Sequence, residues 1–181
     1  NLRDRDHPFQ GFEPIPISHV LEIDDEGTMY LVWVGFNERL HVAYSEDKGK
    51  SWSDPIRVTP KSVTSAIHPS IAVKENGHIA VSYVGSKDRS MYNAYLAEIP
   101  DVFADNPTIH TGQVTTSENP VSRTGCCWKT RHLDGLYEQT GVDFAPDGTL
   151  WAGYVRQHET KTGHWEGTVG KMTTGGGEQP R

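Results

Sequence analysis

Three segments of the chain align without gaps, each centred on a glycine that follows an acidic or amide residue. They are residues 23–34, 73–84 and 144–155, with Gly27, Gly77 and Gly148 behind Glu26, Asn76 and Asp147. In all three an apolar side chain stands two residues after the glycine, an aromatic six after it (Trp33, Tyr83, Tyr154) and a valine seven after it (Val34, Val84, Val155). A glycine in that context supplies the positive φ of a tight hairpin, so each segment predicts two antiparallel strands. Hairpins recurring at roughly 50-residue spacing are the signature of repeated β units, and the expected fold is an all-β propeller of four-stranded antiparallel blades.

Third and fourth strands follow the first two hairpins. Residues 39–44 and 56–59 complete a first blade within 15–60, and residues 91–98 and 108–115 complete a second within 61–118. A third blade, 136–172, has a third strand over 163–172 and then runs into a glycine-rich tail, 173–181. Residues 1–14 read as a linker or closing strand, and 119–135 as an inserted loop within a longer irregular stretch, 100–135. Three blades do not close a ring, since propellers use about four to eight. The expectation is part of a six-bladed propeller, completed by further blades, a second chain or a homo-oligomer.

Between two apolar runs, 40–44 and 56–58, lies Ser45-Glu46-Asp47-Lys48-Gly49-Lys50-Ser51-Trp52. Asp47 can accept backbone amides, Gly49 can take a positive φ and Trp52 can pack beneath the turn. The pattern Ser-x-Asp-x-Gly-x-Ser-Trp resembles the Asp-box, or bacterial neuraminidase repeat, of the sialidase superfamily, with Ser51 where threonine is commoner. The resemblance implies a propeller whose Asp-box residues (Ser45, Asp47, Gly49, Trp52) are structural, and a carbohydrate pocket on the opposite face.

Composition fits a turn-rich β protein: 35% apolar residues, 18 glycines and 11 prolines in 181 residues. A formal charge of −7 and a pI near 5.7 argue against nucleic acid and anionic membranes as partners. No run approaches the roughly 18 apolar residues of a membrane span. The chain opens on Asn1, so an exported, processed product, secreted or cell-surface, is expected. Cys126 and Cys127 are neighbours that could form a vicinal disulfide, bind a soft metal or remain thiols. No cofactor is called for, although a structural calcium or a histidine-bound metal is conceivable.

The resemblance implies a candidate site on the end opposite the hairpin turns, and topology says which residues reach that end. His19, His68, Tyr137 and Glu138 fall at inner-strand starts, and Arg39, Arg89 and Arg156 in the loops between second and third strands. The resemblance implies arginines that hold a sugar carboxylate, a tyrosine nucleophile activated by glutamate, and an acid. Glu138, Tyr137, His68 and Arg89 are the catalytic candidates; His19, Arg39, Arg156 and Trp128 are the substrate-binding ones, Trp128 as a stacking platform. Tyr137 and Glu138 are adjacent, and strand neighbours point to opposite faces unless the strand bulges. The family's Phe/Tyr-Arg-Ile-Pro signature is also altered, with Pro14 in the arginine position of Phe12-Glu13-Pro14-Ile15-Pro16. Sialidase-like hydrolysis, non-catalytic glycan or protein binding, and histidine/tyrosine polysaccharide lyase chemistry therefore stand as alternatives.

Overall fold

The computed structural model describes residues 14–123, 140–157 and 165–172. Strands β1 (Pro14–Ile23), β2 (Met29–Gly35), β3 (Leu40–Ser45) and β4 (Ile56–Arg57) form one sheet in chain order. A second contains β5 (Ser65–Glu75), β6 (His78–Ser86), β7 (Asn93–Ile99) and β8 (His110–Gln113); a third contains β9 (Thr140–Phe144), β10 (Leu150–Gln157) and β11 (Trp165–Lys171). All pairings are antiparallel, and no helix occurs among the described residues. Compared with the sequence reading, the first blade starts one residue earlier and its fourth strand is shorter.

The three expected hairpins are present, and local chemistry explains them. Gly27, Gly77 and Gly148 have φ of 87°, 81° and 83°, the left-handed region in which a side chain would be strained. Asp24 Oδ1 accepts the Glu26 and Thr28 amides at 3.0 and 2.8 Å, and Asp147 Oδ1 accepts the Thr149 amide at 2.9 Å.

Strand alternation then decides which faces meet. Tyr30, Val32 and Val34 from β2, with Leu40 and Val42 from β3, form one buried cluster with Ile79, Val81 and Tyr83 from β6 and Tyr95, Ala97 and Ile99 from β7. The opposite side of the middle sheet buries Ala80 and Leu96 against Leu150 and Ala152, and Ile67 and Val84 against Tyr154. Because it is covered on both faces, β6 is buried at every position after His78; β9 alternates between half-buried and exposed.

Polar groups cross both seams. The Tyr30 hydroxyl donates to Asp24 Oδ2 at 2.8 Å and accepts the Gly77 amide at 2.9 Å. Burial pushes that hydroxyl up to about 12, against its partner amide's opposing pull. At the other seam Ser82 Oγ donates to Thr140 Oγ1 at 2.9 Å, and Thr140 Oγ1 donates to the His68 carbonyl at 2.8 Å. Strand β5 touches both β1 and β9, so the first strands of the three sheets adjoin. Sheets stacked face to face along a shared line of inner strands are successive sectors of a β-propeller.

Candidate functional site

Strand register separates two ends of the stack. Ile23↔Met29, Glu75↔His78 and Leu150↔Phe144 mark the hairpin end, whereas Pro14↔Gly35, Ser65↔Ser86 and Gln157↔Trp165 mark the end that carries the crossing loops. At the hairpin end, the turn over residues 45–52 is closed by its own side chains. Asp47 Oδ1 accepts the Ser45 hydroxyl at 2.9 Å and the Ser51 amide at 2.8 Å, and Asp47 Oδ2 accepts the Ser51 hydroxyl at 2.6 Å. Ser45 Oγ accepts the Gly49 amide at 2.8 Å, and Gly49 has φ of 81°. Hydrogen bonds from Ser51 hold the Asp47 carboxyl down to about 2. Trp52 packs with Leu31, Trp33 and Ala43. Ser45, Asp47, Gly49 and Ser51 thus close this turn on itself, and Trp52 packs beside it.

The crossing-loop end holds three of the four non-glycine residues with positive φ among the described residues: Glu38 (59°), His68 (52°) and Arg89 (65°). The β2–β3 loop is set by Asn37 Oδ1, which accepts the Arg39 amide at 2.9 Å. In the β6–β7 loop, Ser86 Oγ accepts the Arg89 amide at 2.8 Å, and Asp88 Oδ1 accepts the amide and hydroxyl of Ser90 at 2.9 and 2.7 Å. Those Ser90 bonds hold the Asp88 carboxyl below the usual range. Arg89 Nη2 meets Glu38 Oε1 at 2.7 Å, which bridges the first and second blades while leaving the Arg89 side chain 64% exposed. Phe36, in the same loop as Glu38, is 68% exposed.

Each blade does bring one of the expected arginines to this end, but each guanidinium has a protein partner. Arg39 donates to the Val63 carbonyl, which ties the β4–β5 connection to the first crossing loop. Arg89 pairs with Glu38. Arg156 is not in a crossing loop as expected: it lies within β10 opposite Glu166, which it engages through Nε at 3.1 Å and Nη2 at 2.7 Å, and Nη1 donates to Asn119 Oδ1 at 3.2 Å. Eight residues after the hairpin glycine the chain is still in its second strand in all three sheets, with Gly35 and Gly85 at the positions equivalent to Arg156.

The histidines also shift from the positions read in sequence. His19 is exposed and lies inside β1 opposite Trp33, beyond a register break, rather than at the strand start. His68 is 8% exposed at a bulge in β5, where the register slips between Ile67 and Ser70. Such a bulge re-aims a side chain and accommodates the positive φ. Tyr137, Glu138, Trp128, Cys126 and Cys127 lie outside the described residues. The described part of the 100–135 stretch is docked rather than protruding: the Val102 amide donates to Gly77 O at 2.9 Å, and Val121 is buried with Tyr92.

Three features escaped the sequence reading. Phe36 could have been noticed as an apolar residue at a loop tip. Glu38 as partner of Arg89 had no signal, since the pairing crosses blades. His41 was hidden by alternation: it is 2% exposed, stacks on Trp33 at 5.6 Å, and burial pushes its imidazole down to about 4.

No family model matches the chain, and neither does any curated protein. Among solved structures, the chain is similar to the intramolecular trans-sialidase from Ruminococcus gnavus, solved with oseltamivir carboxylate, at 12% identity and a TM-score of 0.43 over 84% of this chain and 31% of that one. It is also similar to a mutant of the GH43 protein BlXynB from Bacillus licheniformis, at 15% identity and a TM-score of 0.27 over 90% of this chain and 42% of that one. The chain thus spans less than half the length of either.

Proposed function

We propose that this chain supplies three blades of an exported, sialidase-like propeller whose crossing-loop end recognises carbohydrate. The observation that carries the reading is the Glu38–Arg89 pair. It stands exposed across a blade seam, on two residues held in the left-handed region, in the loop that also presents Phe36. Backbone held in sparsely populated regions is characteristic of binding and catalytic sites. An exposed guanidinium with N–H groups beyond its Glu38 contact suits a sugar hydroxyl or carboxylate, and an adjacent aromatic ring suits the apolar face of a pyranose. The turn over residues 45–52, with every side-chain role of an Asp-box filled, supports the sialidase-like reading of the fold.

Recognition is favoured over self-sufficient hydrolysis. With Arg39, Arg89 and Arg156 each engaged by Val63, Glu38 and Glu166, the described residues do not present a free arginine cluster. Hydrolysis in this reading requires Tyr137 and Glu138 together with groups from other blades.

Saturation-transfer NMR with sialyllactose and with a uronate oligosaccharide tests the proposal. Binding of either sugar, lost in Arg89→Gln and weakened in Phe36→Ala, is the expected result; undiminished binding in both variants removes this end as the site. A chromogenic sialoside and uronide report turnover, and turnover that survives Glu138→Gln excludes Glu138 from the chemistry.

A further inference from the structure

The three hairpins hold their glycine amides in different ways. Gly27 N–H donates to the Asp24 carbonyl at 3.0 Å and Gly148 N–H to the Ala145 carbonyl at 2.8 Å, each within its own turn. The Gly77 amide instead donates to the Tyr30 hydroxyl of the first blade at 2.9 Å, in a buried bond. The rest of Gly77 is pinned as well: its carbonyl accepts the Val102 amide at 2.9 Å, and a Cβ on it would stand 2.7 Å from the Phe103 ring.

The residue before Gly77 gives this difference a chemical meaning. Glu26 and Asp147 precede the other two glycines, whereas Asn76 precedes Gly77. Asparagine followed by glycine is the pair in which the chain attacks its own side-chain amide most readily, because glycine places no Cβ in the way of the approaching nitrogen. The Gly77 nitrogen gives its proton to hydroxide and bonds to Asn76 Cγ; the Cγ–Nδ2 bond breaks and ammonia leaves, which closes a five-membered succinimide. Water then adds to one of the two imide carbonyls and yields aspartate or isoaspartate, the latter with the main chain routed through the side-chain carbon. The first blade restrains both reacting groups. The proton on the nitrogen is committed to Tyr30, and Asn76 Nδ2, on an exposed residue, donates to Glu26 Oε2 at 2.6 Å, with Asn76 Oδ1 3.5 Å from Thr28 Oγ1.

We propose that Asn76 is a site of spontaneous deamidation gated by the seam between the first and second blades. The intact seam withholds the Gly77 nitrogen, and opening of the seam releases it. Conversion also acts back on the seam, because the new carboxylate cannot donate to Glu26 and faces it with like charge. The proposal rests on the hairpin and seam contacts and is independent of the carbohydrate reading.

Peptide mapping by mass spectrometry on protein held in mildly alkaline buffer reads the replacement of amide by acid at residue 76. The folded wild type is expected to convert at least tenfold more slowly than the same chain unfolded in urea. Tyr30→Phe, verified as folded by far-UV circular dichroism and by retained amide protection in the β6–β7 ladder, is expected to convert roughly tenfold faster than the wild type, the effect of one hydrogen bond. Wild-type conversion as fast as in urea, or a Tyr30→Phe rate equal to that of the wild type, overturns the gate. Glu26→Ala, at an exposed position, keeps the test open should Tyr30→Phe not fold: it frees the Asn76 side chain and is expected to convert severalfold faster, and an unchanged rate again overturns the proposal. Converted chain, separated by anion exchange, is expected to unfold at lower urea than unconverted chain; equal midpoints contradict the action of the new carboxylate on the seam.

Discussion

Acidification provides a sharp test of the packing, because one buried histidine dominates a defined window. His41 lies in β3 opposite Trp33, with ring centroids 5.6 Å apart and planes 28° from parallel. Burial lowers its pKa from an ordinary 6.5 to about 4; a hydrogen bond to the Arg39 backbone partly opposes this, and the charges of Arg57 and Arg39 add to it. At pH 7 the imidazole is neutral in both folded and unfolded chains and contributes nothing to the pH dependence. Below pH 6.5 the unfolded chain takes up a proton that the folded one refuses, so stability falls until the folded pKa near 4 is reached. A gap of that size corresponds to about 3 kcal/mol, a large part of a typical folding free energy. Urea unfolding at pH 7 and pH 4.5 reads it as a midpoint that drops by roughly 1–2 M. His41→Gln is less stable at pH 7 because it loses the stacked ring, but its stability changes much less across the same interval. All other titrating groups are common to both proteins, so the difference in slope isolates His41. Equal slopes would refute the buried, neutral assignment.

Glycine substitutions separate backbone strain from crowding. Gly27→Ala, with φ of 87° and open space around the new Cβ, is expected to cost about 1–2 kcal/mol in chemical denaturation. Gly77→Ala places its Cβ 2.7 Å from the Phe103 ring, which is wedged edge-on against Tyr44, so it should cost roughly 1–3 kcal/mol more; equal losses would mean that Phe103 does not sit over that turn. Asp47→Asn is expected to lower the thermal midpoint at pH 7. Because the folded carboxyl is held near 2, the wild-type advantage is complete above about pH 4 and shrinks as pH falls through 2, which melts at pH 7 and pH 2 measure.

The hairpins were legible because Gly27, Gly77 and Gly148 each impose a backbone state that few other residues accept. The middle blade was legible as strand, although its burial on both faces follows from neighbours that no local pattern names. What the sequence could not provide lies in register and in contacts across seams. The bulge at His68 moves that side chain away from a simple strand-start position, because one extra residue resets the alternation. Arg89 and Glu38 are far apart in sequence and meet only because two blades stack, and Arg156 lies within β10, where it faces its cross-strand partner Glu166. Trp151 illustrates the converse: an aromatic residue within a strand, it is 41% exposed beneath the Lys171 ammonium instead of being buried.

The stacking of the first blade on the second is tested most directly at the Gly77 amide, which donates to the Tyr30 hydroxyl 47 positions away in sequence. Amide hydrogen exchange, read residue by residue by NMR in the wild type and in Tyr30→Phe, measures that bond. The Gly77 amide is predicted to be protected in the wild type and to exchange at least tenfold faster in the variant, while amides within the β6–β7 ladder keep their protection. A Gly77 amide that exchanges freely in the wild type, or is unchanged when the hydroxyl is removed, would contradict the face-to-face arrangement of the blades.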